Sequence, residues 1–132
     1  MVCLARLGTR TPARKQDIAE AEGISADYVE QILMKLKTGG LVRSHRGTRG
    51  GFSLARDPAA ISVSDVLTTV EGRIELAPCA AGECGRASVC VTGALWRRAG
   101  EALDAVFAGA TVGALAEEAR SAEAAEGHMF EI

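Results

Sequence analysis

A chain of 132 residues that is 48% hydrophobic but only 4% aromatic suits one domain, or one with an appended helix, built mainly from Ala, Leu, Val and Ile. No apolar run approaches a membrane span, and no charged start followed by an apolar stretch marks a secretory signal. We therefore expect a cytoplasmic protein with reduced thiols and no membrane partner. The formal net charge of −2 hides an asymmetry: residues 1–56 hold ten Lys/Arg against five Asp/Glu, and residues 57–132 hold five against twelve. Between Gln31 and Arg56 there are six Lys/Arg and no acid, a block suited to phosphates, although an ordinary solvated face has the same composition.

The chain opens Met1-Val-Cys-Leu-Ala-Arg-Leu with no capping residue before it, and reads as the back half of a helix whose front lies upstream. Gly8 to Pro12 is a turn. Lys15 to Glu22 is a short helix with Ile18, Ala19 and Ala21 available to a core, stopped at Gly23. Ser25 caps a second helix, Ala26 to about Thr38, whose apolar positions Val29, Ile32, Leu33 and Leu36 recur at three- and four-residue steps. Two short helices about a tight glycine turn are the sequence form of a helix-turn-helix. Its second helix presents N-terminal residues to base edges in the major groove.

Gly39-Gly40 ends that helix. Leu41–Ser44 and Phe52–Leu54 read as paired strands around His45-Arg46-Gly47-Thr48-Arg49-Gly50-Gly51, a hairpin whose tip bears Arg46 and Arg49. Glycine supports such tips, and arginine suits phosphates or a narrow minor groove. The pattern is not a nucleotide-binding loop, which needs a strand-to-helix Gly-x-x-x-x-Gly-Lys run, and His45 reads as a polar wing residue. Asp57-Pro58 separates the hairpin from a helix begun by Ser62-Val-Ser-Asp65, a capping-box pattern, and ended near Gly72. Val91 to Ala108 is the longest helical pattern, with an apolar stripe of Val91, Leu95, Ala99, Leu103, Val106 and Phe107 and Trp96 beside it. A symmetric dimer would bury that stripe and present two recognition helices to a palindromic site. Gly109 ends it. Thr111 caps a last helix, Val112 to about Ala124, before an acidic tail. The fold expected is mainly α with a small β-wing. Residues 1–72 form a winged helix-turn-helix, and residues 73–132 hold a Cys loop, a long dimerisation helix and the tail.

Cys79, Cys84 and Cys90 fall within twelve residues, with Gly82 and Gly85 beside the middle one. Thiolates are soft donors that select Zn, Cu(I) or iron–sulfur clusters. The gaps of four and five residues are wide for structural zinc, which wants four ligands and tighter pairs, and wider than the gaps of ferredoxin-like runs. Free thiols usually sit singly in cores, and three in a glycine-rich loop do not fit that habit.

With these parts in place, the chain resembles the IscR/NsrR/RirA family of bacterial winged-helix iron–sulfur regulators. The likeness rests on Ile24-Ser25-Ala-Asp-Tyr28-Val-Glu-Gln31-Ile-Leu, on Gly40-Leu-Val-Arg-Ser-His-Arg46-Gly47 with Gly50-Gly51, and on Ile61-Ser-Val-Ser-Asp-Val-Leu. Cys90-Val-Thr-Gly-Ala-Leu-Trp96 adds to it. The resemblance runs to about residue 115 and implies homodimers with crossed long helices, binding of double-stranded DNA at a palindromic operator, and transcriptional control, commonly repression. It places Ser25, Asp27, Tyr28 and Gln31 where the recognition helix meets DNA, Arg46 at the minor groove, and Cys79, Cys84 and Cys90 on the ligands of a 2Fe–2S or 4Fe–4S cluster. Lys35 is expected to meet a phosphate. Relatives sense nitric oxide, iron, cluster supply or redox state. Cluster-supply sensors carry a His three residues after the third Cys, where this chain has Gly93. In several relatives another ligand is an acidic residue near the N-terminus, so we expect upstream codons to encode the rest of the first helix.

The function expected is a DNA-binding repressor switched by an iron–sulfur cluster. A zinc-stabilised or thiol-redox winged-helix regulator is the alternative. An enzyme is not expected: no Ser/His/Asp or Cys/His arrangement is present, and His45 and His128 are the only histidines.

Overall fold

The computed structural model describes residues 1–7, 12–77, 85–86 and 89–128. Helix α2 spans Lys15–Glu22 and α3 spans Ala26–Thr38. Between them Gly23 adopts φ 65° and returns its N–H to Ala19 and Glu20 carbonyls, a left-handed stop that glycine makes without steric cost. Ser25 then starts α3 by accepting a hydrogen bond at Oγ from the Tyr28 amide at 3.3 Å. The stripe foreseen on α3 faces inward: Val29, Leu33 and Leu36 are buried and Ile32 packs at the margin. On α2 Ile18 and Ala19 are buried but Ala21 faces solvent.

Leu41 donates its amide to Leu36 O at 2.9 Å and carries the chain out of α3 into β1, Val42–His45, which pairs antiparallel with β2, Gly51–Leu54. The register sets Val42 opposite Leu54, Arg43 opposite Ser53 and His45 opposite Gly51. Ala13 forms a further bridge to Phe52, with N–H···O distances of 2.9 and 2.8 Å. Gly51 is required there, since a Cβ would overlap the Ala13 carbonyl. After a 3₁₀ turn at Pro58–Ala60, α4 runs Val63–Glu71 from a complete capping box. Ser62 Oγ accepts from Asp65 N, and Asp65 Oδ2 accepts from Ser62 N, both at 3.0 Å.

Helix α5 spans Gly93–Gly109 and α6 spans Val112–His128, the latter capped by Thr111 Oγ1, which accepts from the Ala114 amide. Paired bonds between Val63 N and Ala110 O and between Val112 N and Ile61 O tie the start of α4 to the start of α6. Helix α6 packs on α1, Val2–Leu7, and Arg6 pairs with Glu123 across them. The core is thus one cluster drawn from nearly every element: Leu4, Ile18, Val29, Leu33, Leu36, Leu41, Val42, Leu54, Ile61, Val112 and Ala116. Helix α5 contributes no buried residue to it. Among the described residues no helix is long and apolar enough to cross a membrane.

Two substitutions probe this arrangement by urea denaturation. Leu36→Ala removes a side chain only 1% exposed and should cost about 2–5 kcal/mol. Ser62→Ala breaks the capping box and should cost about 1 kcal/mol.

Candidate functional site

The outer side of α3 and the tip of the hairpin are both exposed. Ser25, Asp27, Tyr28 and Gln31 are all exposed, and Tyr28 leaves 51% of its area to solvent. Spacings of three and four residues hold Tyr28, Gln31 and Lys35 on one face. Glu30 pairs with Lys15 of α2. Lys35 is exposed, yet its Nζ donates to Val70 O, at the last turn of α4, at 2.8 Å.

Arg46 and Arg49 are exposed on the hairpin tip. Gly47 adopts φ 103° and accepts the Gly50 amide at 2.9 Å, closing the turn between them. Arg14, thirty-four residues away in sequence, donates from Nη2 to Thr48 O at 2.9 Å and braces that turn. Beneath it the buried hydroxyl of Ser53 accepts from Arg43 Nε at 3.3 Å and bonds His45 Nε2 at 2.8 Å. His45 is therefore a wing residue, as its setting in the sequence indicated. Arg14 and Lys35 make contacts that sequence periodicity does not reveal, because each partner is more than thirty residues distant.

Cys90 is half-buried just before α5. The sequence pattern started this helix at Val91, but it begins at Gly93, and Thr92 does not cap it. The Thr92 hydroxyl instead lies 3.3 Å from Cys90 Sγ. That hydroxyl, with the backbone N–H groups of Gly93 and Thr92, holds the Cys90 thiol below its ordinary pKa, as donors at a helix start do for a thiolate. A Cβ placed on Gly93 would lie 3.7 Å from that sulfur. Cys79 and Cys84 lie outside the described residues. Cys3 is a free, half-buried thiol on α1, and among the described residues no three His, Cys, Asp or Glu side chains converge on a common point. A thiolate stabilised by donors fits a soft metal or cluster, and the same donors suit a reactive thiol.

Comparison with known proteins places these features. A family model described as "Rrf2: Iron-dependent Transcriptional regulator" matches residues 1–118. The chain belongs to the Rrf2 family. The HTH-type transcriptional regulator IscR of Klebsiella pneumoniae (strain 342) is 37% identical over 105 residues, 79% of this chain and 64% of that protein, so the chain spans just under two thirds of that relative's length. Among solved structures, T. potens IscR superposes with a TM-score of 0.75 at 30% identity, over 92% of this chain and 80% of that one. CymR (YrzC), the global cysteine regulator of B. subtilis, superposes at 0.74 and 30% identity, over 89% and 87%. The expected winged-helix regulator fold is borne out, and these Rrf2 relatives are regulators rather than enzymes.

The Cys90 environment makes a prediction in pH. A lowered pKa keeps the sulfur ionised to a lower pH than an ordinary thiol, and metal affinity falls as pH drops through that value. With Cys3, Cys79 and Cys84 replaced by Ser, iodoacetamide should alkylate Cys90 with a midpoint below the ordinary thiol range. Thr92→Val should move the midpoint upward, and an unmoved midpoint would remove Thr92 as the cause.

Proposed function

We propose that this Rrf2 protein is a cytoplasmic DNA-binding transcriptional repressor whose operator affinity is switched by an iron–sulfur cluster that senses nitric oxide, iron or redox state. The observation that carries the DNA-binding part is the exposure of the α3 outer face and of the hairpin tip, with six Lys/Arg and no acid between Gln31 and Arg56, the stretch that runs from the second half of α3 through the hairpin. Ser25, Asp27, Tyr28 and Gln31 lie toward the N-terminal part of α3, the part that reads base edges in a helix-turn-helix. Arg46 and Arg49 reach the minor groove and its phosphates, and Lys35 a phosphate of the major-groove strand. Fixing the turn at Thr48, Arg14 sets where both wing arginines point.

Cys79, Cys84 and Cys90 would hold the cluster, of either 2Fe–2S or 4Fe–4S type. When bound, it supplies a centre whose integrity depends on nitric oxide, oxygen and iron. Support comes from the three-thiol spacing, the stabilised Cys90 thiolate and the IscR relatives. A second reading, a thiol switch without a cluster, draws on the same lowered Cys90 pKa and on the likeness to CymR. Anaerobic purification separates them: brown protein with acid-labile sulfide, lost on Cys84→Ser, supports the cluster. Colourless protein whose DNA affinity follows thiol oxidation supports the switch, and stoichiometric zinc supports a zinc-stabilised form.

The operator reading predicts that Arg46→Ala and Gln31→Ala each weaken binding by about 1–3 kcal/mol, with Gln31→Ala relaxing preference at one base pair. Unchanged affinity in both would refute this docking.

A homodimer completes the proposal. On α5, Val91 just ahead of it included, half of the apolar stripe is uncovered within one chain: Val91 is 91% exposed, Leu95 59% and Val106 66%, with Ala99, Leu103 and Phe107 half-buried. Pairing two such helices would bury them and set two α3 helices on a palindrome. The double variant Leu95→Glu/Val106→Glu should sediment as a monomer, while a dimer at unchanged concentration would exclude α5 as the interface.

A further inference from the structure

The four last carbonyls of a helix lack an intrahelical partner. In α4 one of these, Val70 O, is met by Lys35 Nζ from the recognition helix at 2.8 Å, a cation at the negative end of the helix dipole. The junction is reinforced beside it. Gly39, which closes α3, lies so near α4 that a Cβ there would overlap the Thr69 methyl, while Thr69 Oγ1 donates to Asp65 O at 2.7 Å. One residue past α4, Gly72 turns the chain at φ 88° into the segment that leads to Cys79. The other end of α4 is tied to α5, the helix that follows Cys90, by Ser64 Oγ donating to Asp104 Oδ1 at 2.7 Å. Helix α4 therefore spans from the elements flanking the cysteine segment to the DNA-facing helix.

An ammonium has three donors. Lys35 gives one to Val70 O and is exposed, so the others can meet a phosphate while the first holds α4.

We propose that Lys35 couples the two halves of the regulator, its ammonium joining a DNA phosphate to the C-terminal carbonyl of α4, so that DNA occupancy and the state of the cysteine segment bias one another through the α3–α4 junction. This rests on the DNA-binding reading above. The coupling is reciprocal, because whatever shifts the end of α4 shifts the phosphate-binding ammonium, and phosphate binding in turn fixes the end of α4. Lys35 thereby acts as a positioning residue as well as a phosphate contact.

Hydrogen exchange by mass spectrometry on the full chain tests it, with and without a saturating 30-base-pair duplex of random sequence at low ionic strength. In the parent protein, DNA should slow exchange both in α3 and in the amides of residues 70–77. Lys35→Met should still bind the duplex and protect α3, with the slope of log affinity against log salt smaller by about one, but should lose the DNA-dependent protection of 70–77. Lys35→Arg, which keeps a charge and several donors, should restore part of it. Two results overturn the coupling: α3 protected with no change at 70–77 in the parent protein, or the same change at 70–77 in Lys35→Met. If no duplex binds and α3 is unprotected, the DNA-binding reading fails first and the coupling falls with it.

Discussion

The interaction on which the structure depends is burial at the inner face of α3. Leu36, Leu41, Leu54, Ile61 and Val112 belong to one buried cluster, and they come from α3, the hairpin and its base, the segment before α4 and the last helix. Fully burying such a side chain is worth about 1.5–3 kcal/mol, far more than any exposed contact of the wing. Two backbone bonds then fix the hairpin to that core, Leu41 N to Leu36 O and Ala55 N to Leu41 O. The angle between Gln31 on α3 and Arg46 on the hairpin is thus set from beneath. The surface residues stay free to meet a ligand because they are not needed to hold the fold.

Helix α5 stands in the opposite condition. It adds nothing buried and meets the rest of the chain chiefly through α4, including the exposed bond from Ser64 to Asp104. Elements with few buried contacts move at low free-energy cost, and a sensor needs an element whose position a local chemical event can bias. The cysteine segment joins α4, anchored at its core-facing side by Val66 and Val70, to α5, which lacks such an anchor. Under the proposed function, a change at the thiols would act between a fixed and a loosely held helix, whether the event were cluster loss or thiol oxidation.

What could be read directly from the chain is local. Gly23, Ser25, Ser62 and Thr111 all end or begin helices where their side-chain chemistry indicates, since a cap and its partner lie within five residues. Thr92 shows where that reasoning stops: its hydroxyl turned to the Cys90 sulfur rather than to the helix, a competition between two short-range partners that spacing alone does not rank. Longer-range pairings left no periodic trace. The Ala13–Phe52 bridge, the Ser62–Thr111 bridge and the bonds of Arg14 and Lys35 each join residues brought together only by the folded core. Of the site, the exposed residues of α3 and the wing were legible because a half-buried helix divides its residues by period. The thiol set was legible only as a spacing, of which the structure describes Cys90.

Around Cys90, the bonds that lower the thiol pKa come from the Thr92 hydroxyl and from the backbone N–H groups of Gly93 and Thr92. None depends on the side chain at position 93. The absence of a side chain there leaves those donors in place, and a Cβ would lie 3.7 Å from the sulfur, at the position where the sequence resemblance puts a histidine in cluster-supply sensors. Stabilising a thiolate and completing a ligand set are separable tasks, performed by backbone and side chain respectively. This chain keeps the first and gives up the second at that position. Under the proposed function the sulfur would serve either as a ligand or as a nucleophile, since both tasks need the thiolate that the donors around Cys90 favour.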